Sequence, residues 1–453
     1  NELGVPIKDT VIVSREQLMI PRNTLKESWD EVIKDFKTAY DLLPDSWEGT
    51  KKFGAARKGS AAAYLGEVYM YLGDYEEAQK WFKKVVEDES RYSLVKNYAW
   101  NFDATHENNS ESVFEVQFQT TVDYTVLASY LWRRLGPDGV GGGFGMVGVN
   151  NDWVDKFNIG FELTQAIYDK ILADIDAKSK PTETDIALRE VLKAYQPQIG
   201  VSVFSAEEFF NLYTGDWSTL GDEINTLRRA AGYRTNVKTE PNWGTVKSSY
   251  IQTILNASRA ADPRMYDSFF VPGRDSIASD WAATDVKPYP NSYYGFKKYI
   301  PYNAPASWGD EKLPYADGFN SINQRIFRLA DVYLQYAEAC YRTGDTGNAE
   351  KYLNKVRRRA WGYAFDDASL TTPVTVDYPS TEDTNGFMSA LIAEREKELC
   401  LEGHLYFDYL RWNMAEDLFK ARGFDPKKHH RLPIPLTERQ TVGMNVLLQN
   451  DGY

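Results

Sequence analysis

The segment spanning residues 59–87 constrains the fold of this 453-residue chain more than any other part of its sequence. Its apolar and small residues, among them Leu65, Gly66 and Phe82, recur at the spacings of a tetratricopeptide repeat. In such a repeat two antiparallel helices pack together, with small residues where the helices touch and large ones beside them. Gly73 stands where the chain must turn between the two helices. The segment therefore predicts a helical hairpin.

A second copy of this pattern occupies residues 329–360. When Gly344 is aligned with Gly73, Leu353 falls on the position of Phe82. Two distant repeats do not form a continuous solenoid, and stacked repeats need about three copies to bury their faces. We therefore expect a helical scaffold that a long insertion interrupts, with a further helical unit from elsewhere in the chain or from a missing part of it.

Two more stretches have helical spacing. Thr24 and Glu27 form a capping-box signature ahead of a helix predicted over residues 25–43. Residues 386–420 are mostly apolar at helical spacing, with Gly403 as a break or a close-packing point. The scaffold is thus predicted to continue on both sides of the repeats.

The sequence changes character between the repeats, where Gly, Pro, Asn, Ser and aromatic residues dominate. Only short elements are predicted there, namely a strand over 113–118 and helices over 151–157 and 163–177. A long region without periodicity is either functional or disordered, and the many aromatic residues argue against disorder. We predict a mainly α, single-domain chain with the scaffold in 24–97 and 324–420, a loop-rich insertion over about 98–323, and a C-terminal tail over 421–453.

Composition excludes several classes of function. With 52 basic and 65 acidic residues the net charge is −13, which disfavours nucleic acid and anionic membrane surfaces as partners. Cys340 and Cys400 are too few for a zinc site or a disulfide framework, and their helical context favours two buried thiols over one disulfide. The four histidines lack metal-ligand spacing, so we predict no metal and no cofactor.

Two patterns that resemble catalytic or cofactor motifs have simpler explanations. The Gly-rich run over residues 136–148 contains a formal dinucleotide-binding pattern at 143–148, but no apolar strand leads into it. Glu394, Glu398 and Glu402 are spaced by four residues on one predicted helix, interleaved with basic residues. This spacing is typical of salt bridges and not of the two facing carboxyls of a glycoside hydrolase. We therefore predict no catalytic residue and no enzyme activity.

A set of segments along the whole chain resembles the SusD/RagB family of outer-membrane nutrient-binding lipoproteins of the Bacteroidetes. Any one of them is weak alone, but their order is specific. They are LGVPI at residues 3–7, WDEVIKDFKTAYDLLPDSW at 29–47, the first repeat from Arg57 to Val86, ENNSESVFEVQF at 107–118, DPRMYDSFF at 262–270, FRLADVYLQYAEACYRTGD at 327–345, EREKELCLEGHLYFDYLRW at 394–412, and LPIPLTERQ followed by QNDGY at the end.

The resemblance implies a tetratricopeptide-like helical scaffold with a non-catalytic role. Family members cap a SusC-like TonB-dependent transporter barrel at the cell surface and capture a nutrient, usually an oligosaccharide or polysaccharide, for import. In the family, a lipid-bearing cysteine and the first repeats precede LGVPI, with which this chain opens. We therefore expect the chain to be N-terminally incomplete, with membrane contact only through a lipid anchor that is not present in it.

The ligand loops differ among members of such a family, so ligand residues must be predicted from chemistry. Sugars present flat C–H faces to aromatic rings and hydroxyl edges to polar side chains, and Trp and Tyr supply large, rigid rings. Smaller clusters of this kind are Tyr213, Asp216 and Trp217, with Trp243 further on, and the run Trp132, Arg133 and Arg134. The richest segment is 281–308, and there we predict ligand contacts from Trp281, Tyr289, Asn291, Tyr293, Tyr294 and Trp308.

Two other functions remain open at this point. The same scaffold could bind oligopeptides, as the RagB branch of the family does. A tetratricopeptide adaptor for another protein is the third reading, but such an adaptor needs a groove without large insertions, and the aromatic insertion argues against it.

Overall fold

The computed structural model divides the chain into two compact units. It describes residues 3–88, 90–119, 129, 131–135, 148–203, 206–233, 253–255, 257–271, 294–299, 315–316, 319–378 and 386–453. Unit 1 consists of Asn1–Asn101, His106–Gln117 and Gln324–Tyr453, and unit 2 of Phe102–Thr105 and Phe118–Asn323.

The described residues are mainly helical, as the sequence predicts. In chain order the helices are α1 (Leu25–Leu42), α2 (Lys58–Leu72), α3 (Tyr75–Val86), α4 (Leu131–Leu135), α5 (Asn151–Asp155), α6 (Gln165–Asp176), α7 (Glu183–Tyr195), α8 (Ala206–Asn211), α9 (Trp217–Ala230), α10 (Arg264–Ser268), α11 (Leu329–Thr343), α12 (Thr346–Ala360), α13 (Phe387–Glu398), α14 (Leu405–Arg411), α15 (Ala415–Phe419) and α16 (Leu436–Val442). The strands are β1 (Ser112–Val116), β2 (Asn158–Glu162), β3 (Ser202–Val203), β4 (Arg259–Ala261), β5 (Phe269–Phe270), β6 (Gly295–Phe296), β7 (Tyr315–Ala316), β8 (Phe319–Asn320) and β9 (Gln324–Arg328).

The first predicted hairpin is the pair α2 and α3. Gly73 ends α2 in the left-handed region at φ 73°, which glycine adopts without a steric penalty. Gly66 faces Phe82 so closely that an added Cβ would lie 2.5 Å from the ring. The prediction that a small residue marks the contact between the two helices is therefore confirmed.

The second hairpin, α11 and α12, repeats this construction within unit 1. Gly344 ends α11 at φ 86°, and Asp345 caps α12 by accepting a hydrogen bond from the amide of Asn348. Leu353 and Phe82, which occupy equivalent positions, are both fully buried in one apolar cluster. The two distant copies therefore pack into a common core.

The capping box predicted for α1 is also confirmed. The Thr24 hydroxyl accepts from the amide of Glu27 at 3.2 Å, and the Glu27 carboxylate accepts from the amide of Thr24 at 2.9 Å. The rings of Phe36 and Tyr64 stack at 5.2 Å, which joins α1 to α2.

The stretch predicted as one helical segment over residues 386–420 is divided into α13, α14 and α15. Leu401 and Gly403 both have positive φ, at 65° and 92°, and these values are incompatible with a continuous helix. Of the two roles predicted for Gly403, the break is the one observed.

A group of buried charges joins distant segments of unit 1. Arg328 donates to Glu111 at 2.7 Å, to Glu398 at 2.6 Å and to Glu402 at 2.6 Å. Arg359 bonds Glu111 at 2.7 Å and also Glu398. Glu398 and Glu402 are thus salt-bridge partners, as predicted, but their partners come from β9 and α12 and not from the same helix. We call these five residues the Arg328–Arg359 network.

Unit 2 contains small antiparallel sheets and a helical cluster. Strand β2 lies between β3 and β4, and β5 pairs with β6 and β7 with β8. The predicted helices over 151–157 and 163–177 correspond to α5 and α6. Helices α7, α8 and α9 were not predicted, although their buried residues, such as Leu188 and Leu192, are four apart.

Both cysteines are buried and free, as the sequence favours. Within the described ranges, none of the helices combines the length and the apolar character needed to cross a membrane.

Candidate functional site

Most of the predicted ligand residues lie outside the described part of the chain. These are Trp281, Tyr289, Asn291, Tyr293 and Trp308. Their assignment to ligand contact therefore stays a prediction. The same holds for Trp243 and for the side chains of Trp132 and Arg133, whereas Arg134 on α4 is exposed.

Tyr294 is the one residue of that set whose surroundings are described. It directly precedes β6, which pairs with β5 in a two-stranded sheet of unit 2. Its side chain is only 4% exposed. This burial favours a packing role over a ring face that a ligand could cover.

The structure brings the cluster of Tyr213, Asp216 and Trp217 together on unit 2. The two rings are half-buried and meet edge to face, with centroids 4.4 Å apart and planes at 66°. Asp216 between them is exposed. A ring pair beside a carboxylate combines the apolar face and the hydrogen-bond acceptor that a sugar requires.

Asp216 is held in place by the start of α9. Its carboxylate accepts from the amide of Ser218 at 2.9 Å and from the hydroxyl of Thr219 at 2.7 Å. These hydrogen bonds, led by that from Thr219, lower the pKa of Asp216, so the group is an anion at neutral pH. An N-cap residue of this kind has a fixed direction, which suits a polar contact.

The two rings rest on the apolar core of unit 2. Tyr195, which is fully buried, lies 6.3 Å from the ring of Tyr213 and 6.5 Å from that of Trp217. Tyr213 folds across Gly215, where an added Cβ would lie 2.4 Å from its hydroxyl oxygen. The glycine is therefore required by the position of Tyr213, a relation that the sequence alone does not reveal.

Trp153 on α5 is a further half-buried tryptophan of unit 2 that the sequence reasoning did not single out. The ammonium of Lys156 lies 4.3 Å from the centre of its ring. Because a cation already covers this ring, Trp153 is a weaker platform than Trp217. Its neighbours Asp152 and Asp155 are exposed.

Other chemistry finds no support in the described residues. They contain no group of three or more His, Cys, Asp or Glu side chains arranged to hold a metal ion. Glu398 and Glu402, tested above as a hydrolytic pair, are committed to Arg328.

Several known proteins are similar to this chain. A SusD-like protein, P25, from Formosa agariphila is 35% identical over 171 residues, which cover 36% of this chain and 30% of the relative. The chain thus matches less than a third of that relative's length.

Solved structures match over far more of the chain. A SusD-like protein from Bacteroides fragilis has a TM-score of 0.61 and 21% identity, covering 100% of this chain and 76% of that one. Surface glycan-binding protein A from Bacteroides thetaiotaomicron, in complex with laminarihexaose, has a TM-score of 0.53 and 17% identity, covering 95% and 72%. At these identities the likeness establishes the fold.

Two family models match the sequence itself. A tetratricopeptide repeat matches residues 60–91, which contain α2 and α3. The SusD family model matches residues 110–453, about three quarters of the chain. The resemblance predicted from the ordered segments is confirmed, and the chain belongs to the SusD family.

Proposed function

We propose that this protein binds an oligosaccharide or polysaccharide without transforming it. The observation that carries the proposal is the pair of half-buried rings, Tyr213 and Trp217, beside the exposed carboxylate of Asp216. Membership of the SusD family supports it, as does the fold shared with a glycan-binding protein in complex with laminarihexaose.

The proposed mechanism is capture. An aromatic ring packs against the C–H face of a pyranose, and Asp216, fixed at the start of α9, accepts a hydrogen bond from a sugar hydroxyl. We place the remaining contacts on the loop residues Trp281, Tyr289, Asn291, Tyr293 and Trp308. The ligand leaves unchanged because no acid and base pair flanks its glycosidic bond in this scheme.

We further propose that capture serves uptake. In this scheme the protein lies at the outer membrane, on the cell surface, and delivers the glycan to a SusC-like TonB-dependent transporter barrel. Family membership supports this role, and a lipid anchor is the attachment that we propose for it.

Calorimetry on three sets of variants tests the assignment of the rings. The probe is whichever oligosaccharide binds best in a panel that includes laminarihexaose. Tyr213→Ala is expected to weaken binding roughly tenfold, the effect of losing about 1.4 kcal/mol of ring contact. Simultaneous replacement of Trp281, Tyr293 and Trp308 by alanine is expected to abolish binding while the circular dichroism spectrum stays unchanged.

Trp100→Ala is the matched control, because Trp100 is a partly exposed tryptophan of unit 1, 37% accessible, with its ring stacked on His106. It should leave the affinity unchanged. Unaltered affinity in the triple variant and in Tyr213→Ala would contradict the proposed site.

A further inference from the structure

Unit 1 contains a pocket of about 690 Å³ that is separate from the ring cluster described above. Helices α1 and α2 form one wall, and the loop before α14 together with α14 itself forms the other. The pocket combines aromatic side chains with charged ones, the principal ones being Trp29, Tyr71, Phe407, Glu67, Arg395 and Asp408.

The mouth of the pocket is apolar and open to solvent. Tyr71 is 41% exposed and Phe407 is 48% exposed, which is high for rings of this size. Trp29 stacks on Tyr71 with the ring centroids 6.4 Å apart and the planes at 19°. Such rings can pack on the apolar body of a ligand or face a cation.

Three arginines line the pocket, and each is paired with another carboxylate, Arg325 with Glu115 at 3.3 Å. Arg395 donates to Asp331 at 2.6 Å and to Asp408 at 2.7 Å. Arg411 donates to Glu338 at 2.7 Å and to Asp408 at 2.9 Å. None of the three guanidinium groups forms an ion pair with Glu67.

Glu67, on α2, is the pocket-lining acid that has no ion-pair partner among the described residues. The titratable and charged groups around it are Tyr64 and Tyr71 on its own helix, Arg325 on β9, Asp331 on α11, Arg395 on α13, Glu402 and His404 before α14, Asp408 and Arg411 on α14, and His430. Burial, followed by the nearby charge of Asp331, raises the pKa of Glu67 to about 8.

Behind the pocket, two carboxylates that pair with its arginines each have one oxygen without a hydrogen bond. Asp331 Oδ2 and Glu338 Oε2 are buried and have no hydrogen-bond donor among the described residues. His404 lies 3.7 Å from Asp331 Oδ2 and the exposed Arg342 lies 3.8 Å from Glu338 Oε1, so both carboxylates have a further cation nearby. Among the described acids that line the pocket, Asp408 and Glu402 are paired with arginines, and Glu67 is the one with no ion pair.

We propose that this pocket binds an organic cation, a guanidinium or ammonium group on an apolar body, with Glu67 as its counter-ion and Trp29 and Tyr71 packed against the body. The side chains around it do not form a metal-binding group within the described ranges, which favours an organic cation over a metal ion. The cation can arrive as a free small molecule or as a lysine or arginine side chain of a peptide, and both present the same chemistry.

Binding should depend on pH in a defined direction. Below pH 8 the carboxyl of free Glu67 holds a proton, and a cation binds to the ionised form, so binding must release that proton. The apparent affinity is therefore expected to rise about tenfold per pH unit as pH approaches 8, and to level off above it. A purely apolar pocket would show no such dependence.

The experiment titrates the full chain with butylguanidinium, with butylurea as its neutral match, and with a blocked tetrapeptide that contains one arginine. Between pH 6 and pH 8.5, nuclear magnetic resonance should detect binding of butylguanidinium, of the peptide, or of both, and none of butylurea. Binding of the peptide alone would identify the source as a side chain, and binding of the small cation alone would identify a free ligand. Absence of binding by both cations would overturn the proposal.

Glu67→Gln is expected to weaken cation binding more than tenfold and to remove its pH dependence. Glu350→Gln, at an exposed position on α12, is the matched control and should bind as the parent does. The pH profile of the unmodified chain provides an independent readout that requires no variant to fold. A flat profile, or full affinity in Glu67→Gln, would also overturn the proposal.

Discussion

Different interactions stabilise the two units of this protein. In unit 1 the Arg328–Arg359 network joins β9 and α12 to Glu111 and to Glu398, which are far apart in the sequence. In unit 2 the corresponding buried pair of Arg264 and Asp262 is local, only two residues apart. Its helices share an apolar cluster, and the ion pairs described between them, such as that from Arg228 on α9 to Glu183 on α7 at 2.6 Å, have carboxylates that are at least partly exposed.

This difference suggests that the two units tolerate substitutions to different degrees. Buried ion pairs accept few substitutions, because removing one partner leaves the other charge without compensation. A scaffold built on buried ion pairs is therefore expected to accept few sequence changes and to keep one structure. An apolar cluster tolerates changes of similar volume, so the loops above it can vary with the ligand. We expect the first property in unit 1 and the second in unit 2.

The largest effect should come from breaking the network. Glu398→Gln leaves Arg328 and Arg359 with too little negative charge in a site that excludes water. We expect the free energy of unfolding to fall by about 3–5 kcal/mol. Urea denaturation measures this, with the exposed Glu350→Gln as control. If the two variants were equally stable, unit 1 would not depend on its buried charges.

The next effect concerns Glu67, which lines the pocket of unit 1 without an ion-pair partner among the described residues. Its pKa is about 8 in the folded chain against an ordinary value of 4.5, so between these values the folded state holds a proton that the unfolded state has lost. The unfolding free energy must then fall as pH rises through this window, by roughly 2–4 kcal/mol.

Glu67→Gln cannot ionise, so the variant should lack that component of the pH dependence and be the more stable protein at pH 8. Thermal unfolding of both proteins between pH 5 and pH 8 measures the difference. Parallel curves would contradict the account of Glu67.

The smallest effect tests the helix contact in the first repeat. Gly66→Ala would place a methyl group 2.5 Å from the ring of Phe82, an overpacking that costs about 1–3 kcal/mol. Gly347→Ala is the matched control, since nothing lies within 4 Å of an added Cβ there. Alanine at 347 should stabilise α12 by about 0.5–1 kcal/mol. Chemical denaturation of both variants should therefore give shifts of opposite sign, and shifts of the same sign would refute this packing.

The fold of unit 1 was largely predictable because its signals are local. The cap formed by Thr24 and Glu27 and the turns at Gly73 and Gly344 depend on residues only a few positions apart. The partners of Glu398 were not predictable, because a sequence shows which residues carry charge but not which distant arginine meets them. The sequence likewise does not show that Leu401 has a positive φ, a value that is incompatible with a continuous helix after α13.

Unit 2 was harder to predict because the composition of the surrounding region hides its local signals. Helix α7 has apolar residues four apart, but the Gly- and Asn-rich texture of the region obscured them. Tyr213 and Trp217 could be grouped from the sequence because they are four residues apart, whereas their common support, Tyr195, could not. Tyr294 has the residue type of a ligand contact but the burial of a core residue, a distinction that composition does not make.

The most direct test of the proposed function exposes the chain to an array of plant, algal and microbial glycans beside a pool of peptides without lysine or arginine, so that the proposed cation pocket does not contribute. The account predicts binding to one or more glycans, lost when Trp281, Tyr293 and Trp308 are replaced by alanine, and no binding to the peptides. Binding to peptides with no glycan bound would contradict it.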